Sequence, residues 1–392
     1  MMKKTLLAMA VSMLMTNAYA QSANDGWTGT WATAVEFTGP GDMPKKSLSN
    51  RSLREIIHVS LGGEVLRMQL SNIHSKEPVE IKSVFIANPT DKADIDPKSA
   101  KYLTFNGKKS VTIAPGEAVY CDVLKYHLTP LQRLSITINY GETTPVNASS
   151  HRGSRTTSYI IEGEAKPKTV FENAETLEHW YNISCIDVQT EGNVPCVAVL
   201  GNSITDGRGS TTNKQNRWTD FMAEAYQGKV GVLNLGIGGN AVVRGGLSEP
   251  ALKRFDRDIL EQTGVDAVVI FEGVNDLGGF KPNHMEIVRS LQNAYTELIG
   301  KAKAAGKKVY LGTITPFFGN SYYTHFSEAA RLTVNDWIRA NKDIDGVIDF
   351  DKLLLDPANP KALKKEFSDD WLHGSPAAYE AMGKYAAEQV KF

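Results

Sequence analysis

Four short segments of the chain hold residue types suited to acyl transfer. The first, Gly201-Asn202-Ser203-Ile204-Thr205-Asp206-Gly207, sets a serine hydroxyl among small residues directly after an apolar run. The second, Gly236-Ile237-Gly238-Gly239-Asn240-Ala241, is a glycine-rich loop able to present a free backbone N–H. The third, Glu272-Gly273-Val274-Asn275-Asp276, carries an asparagine whose side-chain amide can reach a cleft. The fourth is Asp370-Trp371-Leu372-His373. A spacing of three in one tight turn puts carboxylate and imidazole on one side, so the acid accepts from one ring nitrogen and leaves the other as a base. Together they supply a nucleophile, a base, a carboxylate to orient it and N–H donors for an oxyanion.

Singly, each segment is weak. Serine and glycine are ordinary loop residues, and Gly236–Ala241 also fits the dinucleotide pattern G-x-G-x-x-A. That alternative fails on context: the pattern must open a helix at once, and Gly245, Gly246 and Pro250 follow.

The segments gain force from the elements around them. In the second half, five apolar runs rich in β-branched residues, at 196–200, 230–235, 267–271, 308–313 and 347–350, alternate with helix-length stretches such as 218–226 and 285–305. This order predicts an α/β domain with a five-stranded parallel sheet covered by helices on both faces, a three-layer α/β/α arrangement. Such sheets bind ligands at the carboxyl ends of their strands, where the first three segments lie. Ser375 and Pro376 then read as the N-cap and first position of a last helix.

The first half reads as β. Runs at 56–61 and 65–70 flank Gly62-Gly63 and suggest a hairpin, 79–86, 111–113 and 134–138 alternate at period two, and Asn106-Gly107 and Pro115-Gly116 mark turns. Many short strands without long helices predict a β-sandwich or jelly-roll-like module. The expected organisation is a leader at 1–20, a β-rich domain at 21–190 and the α/β domain at 191–392.

In their order, the four chemical segments resemble the blocks of the SGNH hydrolases, the GDSL lipase/esterase family. The resemblance covers 195–392 and implies an SGNH, flavodoxin-like hydrolase fold. Carried over block by block, it implies Ser203 as nucleophile, His373 as general base and Asp370 as the residue orienting it. The Asp-x-x-His spacing selects Asp370 over Asp369. The oxyanion hole would be the Ser203 N–H, the Gly239 N–H and the Asn275 side chain. Two positions depart from the family pattern: Asn202 stands where the name-motif has Asp, and Gly374 where many relatives have Pro. In the first half, residues 27–32 and 58–63 resemble a β module that precedes the hydrolase domain in a bacterial subset of the family.

Other residues take plainer readings. His58, His74, His127, His151, His179, His284 and His325 have no carboxylate at short fixed spacing and read as surface or satisfied core histidines. Asp206 and Asp276 read as loop braces. Arg244, Phe317, Tyr322 and Trp371 are candidates for substrate contact, the aromatics by stacking on a sugar or holding an acyl chain.

Composition sets limits on these readings. Lys plus Arg number 43 against 44 Asp plus Glu, a net charge of −1, which argues against nucleic acid as partner. Five of the 10 Met lie in the first twenty residues. There Lys3 and Lys4, an apolar run too short to span a bilayer, and Ala18-Tyr19-Ala20 form a secretory signal pattern with cleavage expected after Ala20. Periplasmic or extracellular placement follows. Of the 3 Cys, Cys185 and Cys196 could bridge neighbouring strands, or all three could be buried thiols; their wide spacing makes a poor zinc site. The sequence therefore predicts an exported serine esterase without metal or cofactor, and without a membrane span. By family analogy, its substrate is a small ester or an acetylated oligo- or polysaccharide. A lipase, lysophospholipase, thioesterase or acyltransferase with the same triad is the alternative, and a non-catalytic carbohydrate-binding protein a further one.

Overall fold

The structure is a computed structural model, and the described residues are 26–245, 248–278 and 283–392. The leader expected at 1–20 lies outside them. No helix among the described residues is long and apolar enough to cross a membrane.

The second half forms the expected parallel sheet. Its strands are Cys196–Gly201, Gly231–Gly236, Ala267–Phe271, Lys308–Gly312 and Gly346–Ile348. Cys196–Gly201 lies between Gly231–Gly236 and Ala267–Phe271, and the other two follow outward. The order is 2-1-3-4-5, so the topological switch falls beside the first strand and its carboxyl end opens into a natural binding crevice. The first three strands are buried at nearly every position, as a sheet covered on both faces requires. Helices Trp218–Ala225, His284–Ala304, His325–Ala340 and Pro376–Gln389 supply the cover. Ser375 caps the last of these and Pro376 opens it.

The first half is a sandwich of antiparallel strands. One sheet contains Trp27–Ala32, Ile183–Gln189 and Gly63–Ser71; the other contains Ser158–Glu162, Arg51–His58, Arg133–Tyr140 and Val79–Ala87. Leu53, Ile57, Met68, Ile81, Ile136 and Ile186 meet in the core between them. The Gly62-Gly63 hairpin does not form. Arg51–His58 and Gly63–Ser71 belong to opposite sheets, and the link between them crosses the sandwich edge. Neither glycine adopts the positive φ that a two-residue hairpin turn demands. Gly62 is instead needed for close approach, since a Cβ there would meet Leu128 O at 2.5 Å. Asn106-Gly107 does turn, with φ of 52° and 77°.

The two halves share an extensive contact. Trp27–Ala32 runs over Gly231–Gly236, with Gly29 against Leu233 and the Val232 N–H donating to Ser60 Oγ at 3.0 Å. Cys121, Cys185 and Cys196 are buried free thiols, so the Cys185–Cys196 bridge is not made. The two residues lie in different sheets; Cys185 Sγ pairs with Tyr120 Oη at 3.3 Å and Cys196 Sγ faces Gly29 O at 3.7 Å.

Candidate active site

Ser203 stands immediately past the first parallel strand. It opens a single helical turn, Ser203–Asp206, capped by Asn202, whose side-chain oxygen accepts from the Ile204 N–H at 3.0 Å. As the first residue of a helix, Ser203 keeps its own N–H free of an intrahelical acceptor. The side chain is nearly buried, 7 % exposed. Ser203 Oγ lies 2.8 Å from His373 Nε2.

His373 comes from the loop before the last helix. Its Nδ1 lies 2.6 Å from Asp370 Oδ2. The other carboxylate oxygen, Oδ1, accepts from the backbone N–H groups of Leu372 at 3.0 Å and His373 at 2.8 Å. The same short turn therefore fixes both the acid and the ring. Burial holds the imidazole below its ordinary value; Asp370 pulls the other way, and Arg208 and Arg155 push it further down. At Asp370 burial favours protonation, but hydrogen bonds from His373 prevail and keep the carboxyl ionised below its ordinary range.

Gly239 and Asn275 approach Ser203 from the loops after the second and third strands, and both line the same cleft. Gly239 has φ +74°. Asn275 Nδ2 donates to Asn240 O at 2.7 Å, while Asn275 Oδ1 accepts from Tyr322 Oη at 3.0 Å. The side-chain amide is held at both ends, with its second N–H left over. Asp276 braces the glycine-rich loop by accepting from the N–H groups of Val242 and Val243. The helix after that loop begins only at Ala251, so the loop lacks the helix start a dinucleotide site needs.

The cleft holds about 290 Å³ and draws on both halves of the chain. Glu36, Arg152, Gly153 and Arg155 come from the β module; Asp206, Arg208, Gly238 and Leu372 come from the α/β domain. Asp206 joins them. Its carboxylate takes His151 Nε2 at 2.9 Å and Arg155 Nη2 at 2.5 Å. The second ring nitrogen, His151 Nδ1, bonds Ala34 O at 3.0 Å, so this histidine is a satisfied core residue as expected, with a carboxylate partner distant in sequence. Burial would raise Asp206; the Arg155 guanidinium and the hydrogen bond to His151 overcome it and hold the group below its ordinary range. Gly153 passes so close that any Cβ would overlap the Asp206 carboxylate.

Sequence reasoning missed Glu272. It is fully buried, and Asn202 Nδ2 donates to its Oε2 at 3.2 Å. Burial, aided by Asp276, lifts its carboxyl to about 8. Asn202 thus does what an aspartate there could not: it caps the Ser203 turn and donates to a carboxyl group. The missed residues of the β module carried no local signal, because they reach the cleft only through the packing of the two halves.

The candidate substrate residues fare differently. Tyr322 lines the cleft. Phe317 does not: it is fully buried in the α/β core, where the apolar packing of its ring outweighs its position after a strand. Trp371 packs over Gly319. The Arg244 guanidinium donates to Asn275 O at 2.9 Å, bracing the backbone of that segment. Among the described residues, no cluster of three or more His, Cys, Asp or Glu could hold a metal ion.

Residues 199–381 match the GDSL-like lipase/acylhydrolase family. No match was found among curated proteins. Among solved structures, the chain is similar to a protein described as lipolytic and of the G-D-S-L family from Desulfitobacterium hafniense DCB-2, at 23 % identity over 50 % of this chain and 99 % of that one, with a TM-score of 0.39. It is also similar to a carbohydrate acetylesterase from Sinorhizobium meliloti, at 15 % identity over 50 % and 97 % of the two chains, TM-score 0.39. An aryl esterase from M. smegmatis shows 15 % identity over 50 % and 97 %, TM-score 0.38.

Proposed function

We propose that this chain, whose residues 199–381 are a GDSL-like lipase/acylhydrolase domain and place it among the carboxylic ester hydrolases, is an exported serine esterase that removes short acyl groups, chiefly acetyl, from carbohydrate. The observation that carries the reading is the unbroken line from Ser203 Oγ to His373 Nε2 at 2.8 Å and from His373 Nδ1 to Asp370 Oδ2 at 2.6 Å.

In this mechanism Ser203 Oγ attacks the ester carbonyl as its proton passes to His373 Nε2. Asp370 stabilises the imidazolium through Nδ1. Negative charge on the carbonyl oxygen is met by the N–H groups of Ser203 and Gly239 and by the free N–H of Asn275. The proton on Nε2 goes to the departing alkoxide. Water, deprotonated by the same nitrogen, then attacks the acyl carbon; the bond to Ser203 Oγ breaks, Oγ takes the proton from Nε2, and the acid leaves. A cleft of about 290 Å³ suits a short acyl group. Export follows from the basic, apolar and small-residue pattern of residues 1–20.

Substituting Ser203→Ala tests the reading. Hydrolysis of 4-nitrophenyl acetate should fall on the order of a millionfold in turnover, as for a triad nucleophile. A variant that retains substantial turnover overturns the mechanism.

A further inference from the structure

We infer that the alcohol part of the substrate carries a carboxylate, held by Arg208 beside Arg155: on a polysaccharide, an acylated uronic acid rather than a neutral sugar. The inference rests on the serine-esterase reading above and adds a substrate class to it.

Three guanidiniums line the cleft, those of Arg152, Arg155 and Arg208, against two carboxylates, Glu36 and Asp206. Both carboxylates are buried, at 2 % exposure each, and both are engaged: Glu36 by Arg152 and Asp206 by Arg155 and His151. Arg208 is exposed and has no carboxylate partner among the described residues. The cleft therefore has an uncompensated cation at its opening. Arg155 keeps a quarter of its side chain exposed in the same cleft. A guanidinium is shaped to take a carboxylate through two parallel N–H bonds.

The position of Arg208 says which part of the ester bears the charge. Its backbone N–H donates to Ser203 O at 2.9 Å, and Gly209 beside it packs against His373 and Gly374. The oxyanion donors Gly239 and Asn275 come from the loops after other strands. His373 must hand its proton to the leaving alcohol, so the alcohol occupies the His373 side of the cleft. Arg208 faces that part of the substrate, not the acyl group.

The test compares acetate release from O-acetylated polygalacturonate, which is acidic, with release from acetylated glucomannan, which is neutral. The wild type should favour the acidic polymer in kcat/KM, and added NaCl should shrink the preference through screening. R208Q should reduce the acidic-to-neutral ratio by about tenfold, the value of one hydrogen-bonded charge contact; R208K should keep more of it. An R208Q ratio within about twofold of wild type, well under that contact's worth, overturns the inference. A second measurement needs no variant: digalacturonate should inhibit hydrolysis of 4-nitrophenyl acetate more strongly than mannobiose, and equal inhibition also overturns it. The two readings fail separately. An S203A protein that still hydrolyses esters removes the serine mechanism, whereas a Ser203-dependent enzyme indifferent to substrate charge removes only the acidic alcohol.

Discussion

The Tyr322 hydroxyl donates to Asn275 Oδ1 at 3.0 Å, and this contact decides which way the Asn275 side-chain amide faces. With Oδ1 so engaged and one N–H on Asn240 O at 2.7 Å, the other N–H is the part of the amide left for substrate. The tyrosine sits in the loop after the fourth strand, 47 residues beyond the asparagine. Asn275→Ala should cost on the order of a hundred- to a thousandfold in kcat if the amide meets the oxyanion. Tyr322→Phe removes only the orienting bond, so its loss should be smaller, about tenfold, and should fall on kcat more than KM. Steady-state kinetics on 4-nitrophenyl acetate separates the two cases: a Tyr322→Phe effect confined to KM would mean that the tyrosine serves substrate binding instead.

The pH profile should report His373. Its imidazole is held below the ordinary value of 6.5, first by burial. The base form therefore persists to lower pH than in a free histidine, and the acid limb of kcat/KM should have its midpoint below 6.5. Because the Arg208 cation contributes to the lowering, R208Q should move that limb upward. A profile flat through the acid range, or one unmoved by R208Q, would contradict this account.

Asp206 ties the Ser203–Asp206 turn to the β module through His151 and Arg155. Its carboxyl is held below its ordinary 3.8, so its stabilising contribution is complete above that value and fades as pH falls through the lower folded one. Asp206→Asn should cost about 2–3 kcal/mol at neutral pH, less than a wholly buried pair because Arg155 is partly exposed. Urea unfolding of wild type and variant should differ at pH 7 and converge in strong acid.

Glu272 should act in the opposite sense. Its carboxyl lies near 8 in the folded protein against an ordinary 4.5. The folded state holds a proton that the unfolded state has released, so stability is lost as pH rises from about 4.5 through 8. Glu272→Gln removes that loss. It should gain on wild type steadily as pH rises, so thermal unfolding at pH 5 and pH 9 gives the check; equal differences at both would rule the titration out.

Much of this is legible in the sequence. The parallel strands of the second half are continuous apolar runs bounded by loops, because a sheet buried on both faces tolerates little else. Asp370 and His373 were readable as a unit because three residues in one turn bring them together whatever the rest of the chain does. Ser375 and Pro376 marked the last helix by local chemistry alone. The Gly62-Gly63 hairpin does not form because a turn signal states that the chain bends, not which sheet receives the next strand. Phe317 lies in the core because an aromatic after a strand can point to solvent or inward, and only packing selects.

The sequence by itself determined the α/β order of the second half and the residue types of the four chemical segments, since both are written in local pattern and short spacing. Tertiary structure alone decided that Ser203 meets His373 across 170 residues, that Glu272 lies beneath Asn202, and that His151, Gly153 and Arg155 of the β module close around Asp206. These contacts depend on how the two halves pack, with Ala32, Ala34 and Cys185 of the first half joining the α/β core. No periodicity encodes that docking, because it is settled by the summed burial and charge pairing of residues far apart in the chain.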